Sequence, residues 1–129
     1  MFPYDHTIQP PAPSLSVLVS NSKGNAPLST RVTVDSGSSI TALPLDALRA
    51  LKTPAFDYLV VSGYENKETR MRTFIVAVEV AGHRLWPLEV VGLDRSDGIL
   101  GRDVLNRFIV TLDGPALTFD MHLPTEDEP

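Results

Sequence analysis

Val-Asp-Ser-Gly-Ser, residues 34–38, places one carboxylate at the end of an apolar run. The preceding residues Val32-Thr33-Val34 are typical of a strand, and serines with one glycine follow Asp35. Short hydrogen-bond donors and the close backbone approach that Gly37 allows can hold such a carboxylate ionised. A turn or cap role for Asp35, with residues 36–39 as its loop, explains the same residues at least as well. The triplet alone therefore leaves a catalytic and a structural interpretation open.

A second segment, Gly-Ile-Leu-Gly-Arg-Asp at residues 98–103, joins an apolar pair flanked by glycines to a short predicted helix over 102–107. This glycine pattern does not fit the dinucleotide-binding fingerprint, and no phosphate-binding lysine follows a glycine. No Gly-x-Ser-x-Gly elbow accompanies Ser38 or Ser39, which argues against serine hydrolysis. The two segments together are therefore the candidates for a functional site in this chain.

The middle of the chain alternates short runs of Val, Ile, Leu and Thr with turn residues. This pattern predicts an all-β domain rather than βαβ units, with at most two short helices. Pro44 favours the start of a helix over 44–51, and Pro87, which lacks an amide donor, predicts an edge position for its strand. The predicted strands cover residues 15–19, 28–34, 56–61, 69–80, 84–91, 108–112 and 117–121.

The two ends of the chain differ in composition from the middle. Residues 1–14 contain four prolines among polar residues, and residues 124–129 contain three acidic residues between two prolines. Proline-rich segments of this kind favour extended conformations over packed structure. We therefore expect a flexible Pro-rich arm over 1–14, one folded domain over 15–123 and an acidic tail over 124–129.

The bulk composition excludes several classes of function. Cys is absent, so disulfides, thiolate metal sites and a Cys nucleophile are ruled out. The three histidines, His6, His83 and His122, lie far apart, so we predict no metal site and no cofactor. A net charge of −5 without a basic face argues against nucleic acid as a partner. No stretch has the length of a membrane span, and the first residues are unlike a signal peptide, which favours a cytoplasmic setting without a membrane partner.

The two segments together resemble the retropepsin-like aspartic protease superfamily, which includes retroviral proteases and bacterial single-domain members. Residues 34–38 match its Asp-Thr/Ser-Gly-Ala/Ser loop, and Ile99-Leu100-Gly101-Arg102-Asp103 matches its apolar-apolar-Gly-Arg-Asp/Asn segment. The resemblance extends over roughly residues 15–121. It implies an all-β, closed acid-protease barrel with one or two short helices, functional as a two-fold homodimer.

The resemblance also assigns roles to individual residues. Asp35 is implied to be catalytic, and aspartic proteolysis needs two carboxylates that share one proton. No other aspartate of this chain stands in an Asp-Ser/Thr-Gly triplet, so two-fold symmetry must place Asp35 beside its own copy. Ser36 and Gly37 are implied to support the active-site loop, while Gly37 and Ser38 border the substrate. A structural second motif comprises Ile99, Leu100, Gly101, Arg102 and Asp103.

Two departures from the retroviral pattern are visible. The polar hairpin tip at residues 62–68 is the candidate flap over an extended peptide, with Gly63 and Tyr64 as candidate substrate contacts, but it is not glycine-rich. In retroviral relatives the Arg of the second motif pairs with an acidic residue just past the catalytic triplet, and that position is Ser39 here. Arg102 therefore needs another partner, with Asp103 or a carboxylate across the dimer as candidates.

The favoured function is an aspartic endopeptidase that hydrolyses peptide or protein substrates. Its water is expected to be activated by two Asp35 carboxylates, one from each subunit of a homodimer. The alternative is a catalytically inactive dimeric peptide-binding or scaffold module with the same fold, which the polar flap and the missing arginine partner favour. The intact triplet Asp35-Ser36-Gly37 argues against that alternative.

Overall fold

The computed structural model describes residues 1–24, 26–62 and 67–125. Within these ranges the chain is mostly β with two short helices, which confirms the predicted fold class. No helix in the same ranges is long and apolar enough to cross a membrane. The elements are β1 (Phe2–Asp5), β2 (Ala12–Ser20), β3 (Leu28–Val34), β4 (Ala42–Pro44), α1 (Leu45–Ala50), β5 (Ala55–Ser62), β6 (Glu68–Val80), β7 (His83–Leu93), β8 (Gly98–Leu100), α2 (Arg102–Leu105), β9 (Ile109–Asp113) and β10 (Thr118–His122).

The described strands form one sheet that closes on itself. The strand order is β5-β6-β7-β4-β8-β3-β2-β1-β10-β9, and an additional pairing joins β6 to β2. That pairing makes a barrel of the six strands from β6 to β2, because each then has a neighbour on both sides. The barrel interior is filled by fully buried aliphatic side chains such as Val17, Val19, Val76 and Val78. Burying each of these contributes about 1.5–3 kcal/mol relative to exposure.

The N-terminal segment differs from the flexible arm predicted for residues 1–14. Strand β1 pairs with β10 through Phe2 and Phe119, and with β2 through Tyr4 and Pro13. The Phe2 ring stacks on the buried Phe119 ring with their centroids 5.2 Å apart. Asp5 ends the strand by accepting hydrogen bonds from the hydroxyl and amide of Thr7, which lower the pKa of Asp5. Phe2 and Tyr4, on either side of Pro3, thus anchor a segment that its proline content had suggested would be flexible.

Two short strands that the sequence analysis did not predict bring the two motifs together. Strand β8 runs parallel to β3, with Val32 opposite Gly98 and Val34 opposite Leu100. Strand β4 is antiparallel to β8 and parallel to the end of β7. The loop after β3 and the helix after β8 therefore leave the barrel at the same end.

The edge position predicted from Pro87 holds for the first part of its strand, where residues 83–90 pair with β6 alone, and is lost at residues 91–93, which also pair with β4. Strand β7 pairs with β6 along most of its length and with β4 at its C-terminal end. Pro87 lies where the β6–β7 register shifts, since Val76 faces Leu88 and Val78 faces Leu85. The missing amide of Pro87 is thus accommodated at a bulge.

The predicted flap corresponds to the hairpin of β5 and β6. Its arms pair antiparallel from Ala55 and Phe74 to Ser62 and Glu68. Gly63 and Tyr64, the candidate substrate contacts of the tip, lie outside the described residues. The last part of the predicted acidic tail, residues 126–129, also lies outside them.

Candidate active site

The Asp35 loop begins where the parallel pairing of β3 and β8 ends. The amide of Asp35 donates a hydrogen bond to the Leu100 carbonyl oxygen over 3.0 Å, which continues the ladder by one residue. The amide of Ser38 then donates to the Asp35 carbonyl oxygen over 3.1 Å and closes a tight turn. The loop is therefore held at both its first residue and its turn by backbone hydrogen bonds.

The Asp35 carboxylate is half-buried and has a defined orientation. The amide of Gly37 donates a hydrogen bond to Asp35 Oδ1 over 2.9 Å. A Cβ atom on Gly37 would lie 3.1 Å from that oxygen, closer than most real Cβ contacts, so a side chain here would press on the carboxylate. A charge-assisted hydrogen bond from a backbone amide restricts the carboxylate to one orientation without a flexible partner.

The second motif packs directly behind the loop. Leu100 is fully buried in the core and Ile99 is half-buried beside it. A Cβ atom on Gly101 would lie 2.7 Å from both the carbonyl carbon and the carbonyl oxygen of Ile40. Only glycine permits this approach, because the obstructing atoms belong to the backbone.

Arg102 holds the loop from the outside. Its guanidinium Nη1 donates a hydrogen bond to the Ser36 carbonyl oxygen over 2.6 Å, and its amide donates to the Ser38 carbonyl oxygen over 2.8 Å. Asp103, the partner within the chain that the sequence suggested, is engaged by Thr41 instead. The arginine therefore contacts the Asp35 loop through a backbone carbonyl instead of an acidic side chain.

Asp103 joins α2 to the segment before β4. Its Oδ2 accepts the Thr41 amide over 3.0 Å, and its Oδ1 accepts the Thr41 hydroxyl over 2.7 Å. The same hydroxyl oxygen accepts the amide of Gly101 over 3.0 Å. Thr41 is fully buried. The sequence analysis did not identify Thr41. Its position directly before the apolar pair Ala42-Leu43 is the only feature of the sequence that marks it.

A groove of about 820 Å³ opens beside Asp35. One wall is the Asp35 loop, formed by Asp35 and residues 37–40. The opposite wall comes from the end of β5 nearest the hairpin tip and from β7. The structure thus brings Gly37 and Ser38 to the groove, whereas Ser36 is exposed and outside the lining. The residues of the opposite wall are Leu59, Val60, Ser62 and Glu89.

Glu89 is a groove residue that the sequence analysis did not identify. It is half-buried on β7, between the buried residues Leu88 and Val90. Its signal in the sequence is a single charge inside the apolar run Leu88-Glu89-Val90-Val91. Among the described residues, no group of three His, Asp or Glu side chains is placed to hold a metal ion.

Solved structures with this architecture are retropepsin-like proteases. The EIAV protease complexed with the inhibitor HBY-793 is 22% identical, with a TM-score of 0.57 over 74% of this chain and 86% of that chain. A retropepsin-like aspartic protease from Rickettsia conorii is 20% identical, with a TM-score of 0.56 over 87% and 82%. The retroviral protease-like domain of Ddi1 from Leishmania major is 18% identical, with a TM-score of 0.52 over 89% and 98%. The fold is therefore retropepsin-like.

The family follows from the sequence itself. Residues 20–104 match the family model described as aspartyl protease. This range holds the Asp35 loop and Gly101-Arg102-Asp103, and it covers more than half of the chain. The chain belongs to this aspartyl protease family. A search of curated proteins found no match.

Proposed function

We propose that the chain is an aspartic endopeptidase that acts as a two-fold homodimer, with one Asp35 carboxylate from each subunit. The observation that carries the proposal is the Asp35 carboxylate itself, which lines an open groove and is oriented by the Gly37 amide. Membership of the aspartyl protease family supports peptide hydrolysis as the reaction. A carboxylate with only a structural role has no need of a groove in front of it.

The dimer follows from the chemistry, which requires two carboxylates that share one proton. The chain has a single Asp-Ser-Gly triplet. Ser36, next to Asp35, is exposed, so its hydroxyl is free to reach a partner loop. We expect the two Ser36 hydroxyls to hydrogen-bond across the axis to backbone groups and hold the two loops together.

The reaction uses the two carboxylates in different protonation states. The ionised carboxylate takes a proton from a water molecule as the water oxygen attacks the peptide carbonyl carbon. The protonated carboxyl group donates a hydrogen bond, and then its proton, to the carbonyl oxygen. The resulting tetrahedral diol collapses when the amide nitrogen is protonated, the C–N bond breaks, and a carboxylic acid and an amine leave. No cofactor takes part in these steps.

The groove suits an extended peptide. Its walls combine apolar side chains, Ile40, Leu59 and Val60, with the hydroxyl groups of Ser38 and Ser62. Backbone groups of a peptide strand can pair with the loop and the hairpin, while alternate side chains enter the groove from opposite sides. The hairpin of β5 and β6 then serves as the flap that covers the bound peptide.

The direct test is cleavage of an internally quenched peptide library by the wild type and by Asp35→Asn. The Asn side chain keeps an oxygen for the Gly37 amide but cannot ionise, so cleavage should fall to background while the thermal unfolding curve stays close to that of the wild type. Asp97→Asn is the matched control, because Asp97 is exposed and lies just before the second motif. Equal cleavage by Asp35→Asn and the wild type would overturn the assignment. A wild type that binds peptides but cleaves none at any pH would support the inactive binding module.

A further inference from the structure

Glu89 places a second carboxylate in the groove that holds Asp35. It pairs with Ile75 on β6, and its neighbours along β7 are buried, with Leu88 4% and Val90 0% exposed. Glu89 itself is half-buried and lines the wall opposite the catalytic loop. Its position on a paired strand gives it a more rigid location than a residue on a loop.

Glu89 has no partner within the part of the chain that the structure describes. No ion pair joins it to a described Lys or Arg, and no described donor gives its carboxylate a hydrogen bond. The remaining described wall residues are apolar or carry hydroxyl groups, apart from Asp35 and Gly37. A half-buried carboxylate without a partner offers a cation that enters this groove a charge-assisted contact.

We propose that Glu89 is a specificity-determining residue that binds the Lys or Arg side chain of an extended peptide substrate. This inference rests on the proposed function, because it assigns a subsite of the same groove. The aliphatic stem of Lys or Arg can pack on an apolar side chain of this wall, such as Leu59, while its charged end reaches the Glu89 carboxylate. Acidic side chains at the same substrate position meet like charge and are disfavoured.

A catalytic role for Glu89 makes a different prediction. If Glu89 supplied the second carboxylate of a single-chain pair, Glu89→Gln would abolish cleavage of every peptide. As a subsite residue, Glu89→Gln should remove only the preference for a basic side chain. Cleavage of peptides with an uncharged side chain at that position should persist.

The test separates binding from turnover. In the Asp35→Asn background, peptide libraries with Lys, norleucine or Glu fixed at one position at a time are assayed for binding by fluorescence anisotropy. At one substrate position, Lys should bind about tenfold more tightly than norleucine, as expected for a charge-assisted contact. Adding Glu89→Gln should bring the two affinities together, whereas Glu79→Gln, an exposed glutamate on β6, should preserve the difference.

Cleavage by the active protein gives the second readout. The wild type should cut the Lys library at that position about tenfold more efficiently than the norleucine library, and Glu89→Gln should equalise them. A Lys preference that survives Glu89→Gln, or that never occurs in either readout, would overturn the inference. Loss of all cleavage in Glu89→Gln with binding retained would overturn it in favour of a catalytic role. A wild type that cleaves nothing refutes the proposed function, while the binding series still decides the role of Glu89.

Discussion

Arg102 donates a hydrogen bond from guanidinium Nη1 to the carbonyl oxygen of Ser36 over 2.6 Å. The contact spans two segments that are far apart in the sequence and ties the first residue of α2 to the residue that follows Asp35. Because Ser39 stands where an acidic partner was expected, the arginine uses a backbone acceptor that every loop sequence provides. The consequence is that this arginine positions the Asp35 loop without adding a further carboxylate to the site.

Replacing this arginine should therefore affect activity more than stability. Arg102→Ala removes one hydrogen bond from a charged donor at an exposed position, so the free energy of unfolding should fall by only about 1 kcal/mol. The Asp35 loop then loses the guanidinium hydrogen bond to Ser36 and keeps the one from the backbone amide of residue 102 to Ser38. Because the loop is held less firmly, kcat/KM should fall by about tenfold or more. Urea unfolding and peptide cleavage measure the two effects. Arg107→Ala is the control, and an equal loss of activity in both variants would refute the positioning role.

Thr41 is expected to be a stability residue. Its hydroxyl donates to Asp103 and accepts from the Gly101 amide in a fully buried site. Thr41→Val keeps the shape but leaves the buried Gly101 amide without its acceptor and removes one hydrogen bond from Asp103 Oδ1, which keeps the bond from the Val104 amide. The free energy of unfolding should therefore fall by about 1–3 kcal/mol. Thr111→Val, at an exposed position of β9, should change it by less than about 0.5 kcal/mol. Urea unfolding of both variants checks this, and similar small changes would contradict the network.

Gly101 tests how closely the two motifs pack. In Gly101→Ala the new methyl group would meet the Ile40 backbone at 2.7 Å, and a backbone segment between two paired strands has little room to move. We expect a loss of about 1–3 kcal/mol in stability together with a loss of activity. Gly114→Ala is the matched control, since nothing lies within 4 Å of its Cβ position. Equal melting temperatures for the two variants would contradict the close approach of Gly101 to the Ile40 backbone.

Much of the fold could be predicted because long strands carry their own pattern. Strand β3 has the predicted bounds, and β6 begins one residue before them. Strands β4 and β8 could not be predicted in this way. Each has only three residues, too few for a sequence pattern, and is defined by its pairing with neighbouring strands. Strand β1 was missed for a different reason: Pro3 suggested an extended arm, but the stacking of Phe2 on Phe119 depends on residues at opposite ends of the chain.

The site was predictable only where a motif marks it. Asp35 and Gly101 stand in short patterns whose spacing along the chain is informative, and the structure packs the two patterns together. Thr41 and Glu89 carry no such pattern. Their positions depend on the register of β4 and β7, and a shift of one residue would turn Glu89 to the other face of its sheet.

The shared pair also predicts the form of the pH profile. Activity requires one ionised and one protonated carboxyl group, so kcat/KM should be bell-shaped in pH. Activity falls on the acid side because both groups are protonated and no base remains. It falls on the alkaline side because both are ionised and no acid remains. Thermal unfolding across the same pH range separates these losses from unfolding, and a profile without an alkaline decline in the folded range would contradict the shared proton.

The most direct test of a dyad shared between two chains is a mixing experiment. Wild type and Asp35→Asn are combined at constant total concentration, allowed to exchange subunits, and assayed for peptide cleavage. If each active site needs Asp35 from both chains, mixed dimers are inactive and activity follows the square of the wild-type fraction. An equal mixture should then retain about one quarter of the wild-type activity. Activity that falls in direct proportion to the wild-type fraction, to about one half in the equal mixture, would show that one chain suffices and contradict the shared dyad.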